Sequence, residues 1–170
     1  RINITANGIP MNDAESHSIF WVNTPDLASS LEDMQIQRGA GTSTNGAGAF
    51  GASINLRTAG IPSKAYAEVS GSYGSFNTHK ETVRVGSGLL GNHWAFDTRI
   101  SNIQSDGYRD RATSDLKSYF LQGGYYGENT TLKLIAFGGK EKTYHAWDGI
   151  SREQLETDRT YNPNGAIKDD

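Results

Sequence analysis

The chain has 170 residues, the length of one domain or two small ones, and its 16 basic and 19 acidic side chains leave a net charge of −3 with no basic face for a nucleic acid. It contains no cysteine, which excludes disulfides and thiolate metal sites. Hydrophobic residues reach only 35%, thin for a soluble core, and no run approaches the roughly 18 apolar residues of a membrane helix, although barrel strands carry a weaker, alternating signal.

Ile2 and Ile4 alternate with polar neighbours directly after Arg1. There is no basic-then-apolar leader, so a piece of a longer chain is expected. Asn7-Gly8 predicts a type I′ hairpin, since both residues tolerate positive φ. Ile9 and Met11 resume the alternation, and the aperiodic polar run from Asn12 to Ser18 predicts a loop. Thr24-Pro25-Asp26 predicts a short helix, with Thr24 as cap, Pro25 at the first helical position, and Leu27, Ala28 and Leu31 on one apolar face. Met34 and Ile36 predict a strand ending at Arg38-Gly39. A run of small residues from Ala40 to Gly51 leads to a second strand, where Ala52, Ile54 and Leu56 alternate with polar neighbours.

From Ala65 the pattern is strands and turns without a helix. Alternation runs through Ala65 to Tyr73, Val83 to Leu89, Trp94 to Ile100, Tyr119 to Tyr125 and Leu132 to Ala136. That makes about five strands of roughly ten residues, enough for a tilted strand to cross a bilayer. Connections at Gly91-Asn92-His93 and Gly127-Glu128-Asn129 are short, whereas those near Asp106 to Asp115 and after Lys142 are long and polar. Short turns at one end and long loops at the other match an outer-membrane barrel, as do aromatics near the strand ends (Tyr73, Phe76, Trp94, Tyr108, Tyr125, Tyr126). On this reading Val83, Val85, Trp94, Phe96 and Ile100 face outward, and Arg84, Asp97 and Arg99 face inward.

Chemical motifs are few. Gly46-Ala47-Gly48-Ala49-Phe50-Gly51 matches G-x-G-x-x-G, but no strand directly precedes it and a period-2 segment, not a helix, follows, so it predicts a tight backbone approach rather than a nucleotide site. Asp13, Glu15 and His17 alternate as metal ligands could, though three polar residues in a loop are more often simply solvated. His79, His93 and His145 are scattered over different turns and loops. No G-x-S-x-G occurs, so no hydrolase is indicated, no enzymatic activity is expected, and nothing points to a cofactor. Asp106-Gly107-Tyr108-Arg109-Asp110-Arg111 lacks EF-hand spacing and predicts a hydrated loop with local ion pairs.

Three segments, in order, resemble the plug of TonB-dependent outer-membrane receptors. Ile4 to Asn12 is similar to a "DGVP"-type strand-turn-strand, with Asn7 for the usual Asp. Leu31-Glu32-Asp33-Met34-Gln35-Ile36-Gln37-Arg38-Gly39 is similar to "IERIEVLRG", and Ser43 to Leu56 is similar to "YGSGAIGGVINI". Ala40 stands where that family commonly has Pro. The resemblance covers essentially the whole chain and implies a mainly β fold: the C-terminal part of a small α+β plug over residues 1–60, then about five antiparallel strands of a large transmembrane β-barrel over 61–170. About five strands cannot close a barrel of roughly 22. The implied function belongs to the parent receptor: capture of a scarce solute and its energised uptake to the periplasm.

The resemblance further implies that Asn12, Asp13, Glu15, Ser16, His17, Phe20 and Trp21 form the ligand-facing plug apex. Arg38, Gly39, Gly46, Gly48 and Gly51 become structural plug residues, with Arg38 pairing to carboxylates of plug or barrel wall. Arg38-Gly39-Ala40, in place of a Lys-Asp-Ala run, favours the branch importing siderophores, haem or corrinoids. Implied partners are a metal chelate, outer-membrane lipid and the TonB energy-coupling protein acting through a missing N-terminal part. Two other classes fit the residues alone: a soluble all-β carbohydrate-binding module using Trp21, Trp94 and Trp147 as stacking platforms, and a structural surface module of β-hairpins.

Overall fold

The alternating segments of the first sixty residues fold into one small mixed sheet. A computed structural model describes residues 2–40 and 49–164. Strand β1 (Ile2–Ala6) turns through Asn7 and Gly8, at φ 51° and 83°, into β2 (Ile9–Pro10), so both central residues adopt the positive φ that a type I′ turn requires. The Asn7 amide also fastens the turn by donating to Thr58 Oγ1 at 3.0 Å and accepting from Thr58 N at 3.1 Å. Strand β3 (Leu31–Arg38) pairs antiparallel with β4 (Ala52–Thr58), and β4 pairs in parallel with β1, giving the order β2-β1-β4-β3. The core is small: Ile4, Leu27 and Leu56, with Met11, Ile19, Leu31, Ile54 and Phe137 packed around them.

The helix expected at Thr24-Pro25-Asp26 does not form. Two single 3-10 turns stand there instead, Trp21–Asn23 and Leu27–Ser30. Asp26 adopts φ 55°, outside helical space, and Leu31 is already extended in β3, so the chain has no room to propagate a helix. Thr24 caps nothing; its hydroxyl donates back to Trp21 O at 3.1 Å.

The five expected strands are present: β5 (Ala65–Tyr73), β6 (His79–Leu90), β7 (Trp94–Ser105), β8 (Ser114–Tyr126) and β9 (Thr131–Thr143). They form a second sheet in sequence order, antiparallel throughout. Residues 91–93 and 127–130 link strands at one end; residues 74–78, 106–113 and the chain beyond Thr143 lie at the other. That last segment holds a helix the periodicity did not predict, α1 (Arg152–Thr157). Ser151 and Gln154 form a full capping box on it, a local signal independent of hydrophobic period.

The second sheet is inverted relative to a soluble protein. Val83, Val85, Trp94, Phe96, Tyr119 and Leu121 are exposed on one face, with Ile100 at 59% and Leu134 at 72%. On the other face Asp97 and Arg99 are each only 2% exposed, and Ser101, Ser118 and Gln122 are buried with them. This is the orientation expected from the alternation. The buried face is covered by the first sheet and its turns, with Asp26 at the centre of the contact. The Asp26 carboxylate accepts from Arg99 Nη1, from Lys80 Nζ at 2.7 Å, and from Ser29 and Ser101 hydroxyls at 2.6 Å each. Arg99 also reaches Asp26 O at 2.9 Å and Ser30 Oγ at 2.7 Å. Burial works to raise the Asp26 carboxyl, but the bonds from Lys80, Ser101 and Ser29 and the Arg99 charge prevail and hold it below its ordinary value.

Candidate ligand-binding groove

The polar loop after β2 is tightly built. Asn12 spends its whole amide on the backbone: Oδ1 accepts from Ile4 N at 2.8 Å, and Nδ2 donates to Ile2 O and His17 O at 3.0 Å each. It closes the loop and leaves little for a ligand. Asp13 Oδ1 accepts from Ser16 N at 2.8 Å, Ser16 Oγ at 3.0 Å and Glu15 N at 3.1 Å. The bonds from Ser16 lead in holding its carboxyl below the ordinary value, with His17 adding a smaller attraction. One Asp13 oxygen is therefore committed to the loop, and among the described residues no three His, Cys, Asp or Glu side chains gather as a metal site. Glu15, Ser16 and His17 are exposed, with His17 at φ 55°.

Phe20 and Trp21 sit differently. The 3-10 turn Trp21–Asn23 holds them half-exposed at the rim, fixed by Asn23 N to Phe20 O at 2.9 Å and Thr24 N to Trp21 O at 3.0 Å. Opposite them stand the end of β9 and the chain beyond it. The two walls border an open groove of about 780 Å³, lined by Ile19 to Asn23 on one side and by Glu141, Lys142, Thr143, His145 and Trp147 on the other. The His145 and Trp147 rings lie 4.7 Å apart, and Thr143 Oγ1 is 2.7 Å from His145 Nε2. Ile19, Phe20, Trp21, Val22 and Trp147 give the groove its apolar surface, and Asn23, Glu141, Lys142, Thr143 and His145 its polar groups.

Of the seven residues predicted for the site, Phe20 and Trp21 line this groove and the other five do not. The far wall was missed. Its signal was legible: His145 and Trp147 alternate directly beyond Thr143, continuing one face past the strand end. Trp94 begins β7 at the opposite end of the sheet, so Trp21, Trp94 and Trp147 form no common stacking platform.

The plug residues divide. Gly39, at φ 84°, donates N–H to Gly51 O at 3.0 Å, extending the β3–β4 pairing by one bond. Strand β4, not a helix, follows Gly51, so no helix N-terminus is available for a phosphate. Gly46 and Gly48 lie outside the described residues. Arg38 is exposed at the end of edge strand β3 and makes no ion pair among the described residues. The loop at residues 106–111 departs from expectation: Arg109 and Arg111 donate to backbone carbonyls of the chain beyond β9 and form no local ion pairs among the described residues.

No family model matches the sequence, and no curated protein matches it. Solved structures do. The pyoverdine outer membrane receptor FpvA from Pseudomonas aeruginosa, bound to pyoverdine, superposes with a TM-score of 0.64 at 17% identity over 79% of this chain and 20% of its own. The ferric yersiniabactin uptake receptor FyuA from Yersinia pestis gives 0.63 at 12% identity over 80% of this chain and 22% of its own. The siderophore receptor PirA from Acinetobacter baumannii gives 0.61 at 14% identity over 85% and 24%. The chain has the fold of an outer-membrane receptor plug and the first strands of its barrel. It is mainly β, spans about a quarter or less of those receptors, and its open second sheet is a segment of barrel wall. The groove lies between the Trp21–Asn23 turn and the end of β9, at the long-loop end of the second sheet.

Proposed function

We propose that this chain is part of a TonB-dependent outer-membrane receptor, with plug over residues 1–60 and barrel wall over 61–170. The receptor captures a scarce metal chelate, a ferric siderophore before haem or a corrinoid, and imports it to the periplasm. Energy coupling to TonB would run through receptor segments other than these. One observation carries the reading: the inverted wall, with Ile100 and Leu134 open to the surroundings and Arg99 and Asp97 buried against the plug. An exposed apolar face this continuous is stable only against an apolar medium, so outer-membrane lipid is its partner. The aromatic groove supports the ligand class, since a chelate offers flat, partly polar surface to Phe20, Trp21 and Trp147.

The test uses the full reading frame that contains this chain, expressed in a Gram-negative host. The product should fractionate with the outer membrane and bind a ferric siderophore, with ferric pyoverdine as first probe. Phe20→Ala with Trp21→Ala should weaken binding by about 1–3 kcal/mol, the scale of an aromatic hot spot, without stopping assembly. Unchanged affinity, with binding abolished by a change in the 106–115 loop, would move the site to the extracellular loops.

A further inference from the structure

Trp147 stands on a segment without regular structure, yet its backbone is held from three directions. Arg109 Nη1 donates to Ala146 O at 3.4 Å and to Asp148 O at 3.2 Å, the carbonyls on either side of Trp147. The same guanidinium donates through Nε and Nη2 to Tyr161 O at 3.2 and 2.9 Å. The Asn164 amide, oriented by its partners, accepts from Trp147 N at 3.1 Å and Asp148 N at 3.2 Å. Arg111 in turn donates to Asn164 O at 3.1 Å and to Asn162 O. One planar guanidinium therefore ties both arms of the 144–164 loop to the loop between β7 and β8.

The clamp rests on a firm base. Asp110 N donates to Thr160 O at 2.8 Å, and Asn162, only 1% exposed, returns a bond to Asp110 O at 2.7 Å. Gly107, at φ 77°, packs so closely that a Cβ there would sit 2.2 Å from Ala112 O. The loop that carries Arg109 thus has little freedom of its own. The Trp147 ring, by contrast, is 78% exposed, so side-chain packing does not fix it. Its position follows from the backbone, which Arg109 holds through the carbonyls on both sides of Trp147 and Asn164 through the Trp147 and Asp148 amides.

We infer that Arg109 is the positioning residue of the groove: it touches no ligand, but sets Trp147 and His145 opposite Phe20 and Trp21 and so defines the width of the slot. This rests on the groove being the binding site. It assigns to the β7–β8 loop a part in selecting ligands by thickness, through carbonyl bonds that need the fork of an arginine. A lysine, a single point of charge, cannot hold three carbonyls in one plane.

Two measurements on the full-length receptor test it. The first needs no ligand: hydrogen exchange of the Trp147 and Asp148 amides. Arg109→Ala and Arg109→Lys should both speed exchange there about tenfold or more while amides of β7 and β8 stay protected; unchanged exchange overturns the inference. The second is a double-mutant cycle with ferric pyoverdine. Trp147→Ala and Arg109→Ala should each weaken binding about tenfold, and Arg109→Ala should add little once Trp147 is Ala. Additive losses, or full retention of binding by Arg109→Lys, mean that Arg109 acts by its charge and overturn the inference. Unchanged binding in Trp147→Ala strikes the groove reading itself and leaves the exchange result to decide the clamp.

Discussion

Replacing Asp26 by Ala should loosen the contact between the first sheet's turns and the second sheet. The carboxylate accepts from Arg99, Lys80, Ser29 and Ser101. Hydrogen bonds to a charged group contribute about 1.5–3 kcal/mol each, but the four are not lost outright. Lys80 is partly exposed and can rehydrate, and the two serines keep other partners. Arg99 cannot escape: its side chain is 2% exposed and would keep only neutral oxygens, from Ser30, Ser101, Ser118 and the residue 26 carbonyl. Stranding one partner of a buried pair costs about 3–5 kcal/mol, which is the loss expected here. Urea titration of the full receptor, read by limited proteolysis of the plug, measures it. Removing the stranded charge as well, in Asp26→Ala with Arg99→Leu, should recover most of the loss. The reasoning fails if Asp26→Ala costs less than about 1 kcal/mol, or if the double variant is worse than the single.

The same carboxylate sets an acid limit. Its folded pKa lies below its unfolded value of about 3.9, so its contribution is complete above that pH and disappears as pH falls through the folded value. Plug protection against an acid-tolerant protease should be flat from about pH 5 to 8 and fall below about pH 4, and Asp26→Asn should abolish that dependence. On the outer face, Ile100→Arg near mid-strand should cost about 2–4 kcal/mol, and Leu132→Arg near the rim about 0–1, read as unfolding midpoints in vesicles. Gly107→Ala forces a side chain into positive φ against Ala112 O and should destabilise the β7–β8 loop by about 1–3 kcal/mol, visible as new proteolytic nicking between 106 and 113.

Much of the fold could be read from period and turn chemistry. The strands of the second sheet alternate cleanly because one face carries exposed apolar side chains and the other buries polar ones against the first sheet and its turns, so period 2 survives along nearly every strand. Asn7-Gly8 was legible because its positive φ values are a local property. The Asp26 region was not. Thr-Pro-Asp carries helix-start chemistry, yet Asp26 is drawn out of helical space toward Arg99 and Lys80, 73 and 54 residues away in sequence. A distant pair of cations overrode a local preference, and no window of sequence contains that competition.

The groove shows the same limit from the other direction. Phe20 and Trp21 could be singled out as aromatics at the end of a polar loop, and they line it. The polar residues before them looked equally suited to a ligand, because composition cannot tell a side chain that binds outward from one that binds its own backbone. Asn12 is the clear case: all three of its hydrogen bonds go to main-chain atoms within ten residues. Arg109 is the converse. Beside Asp106 and Asp110 it looked locally neutralised, but a carboxylate on a solvated loop offers an arginine little. Backbone carbonyls of a second loop, presented together, match the planar fork better. The side chain follows that geometry, and the loop it holds forms one side of the groove.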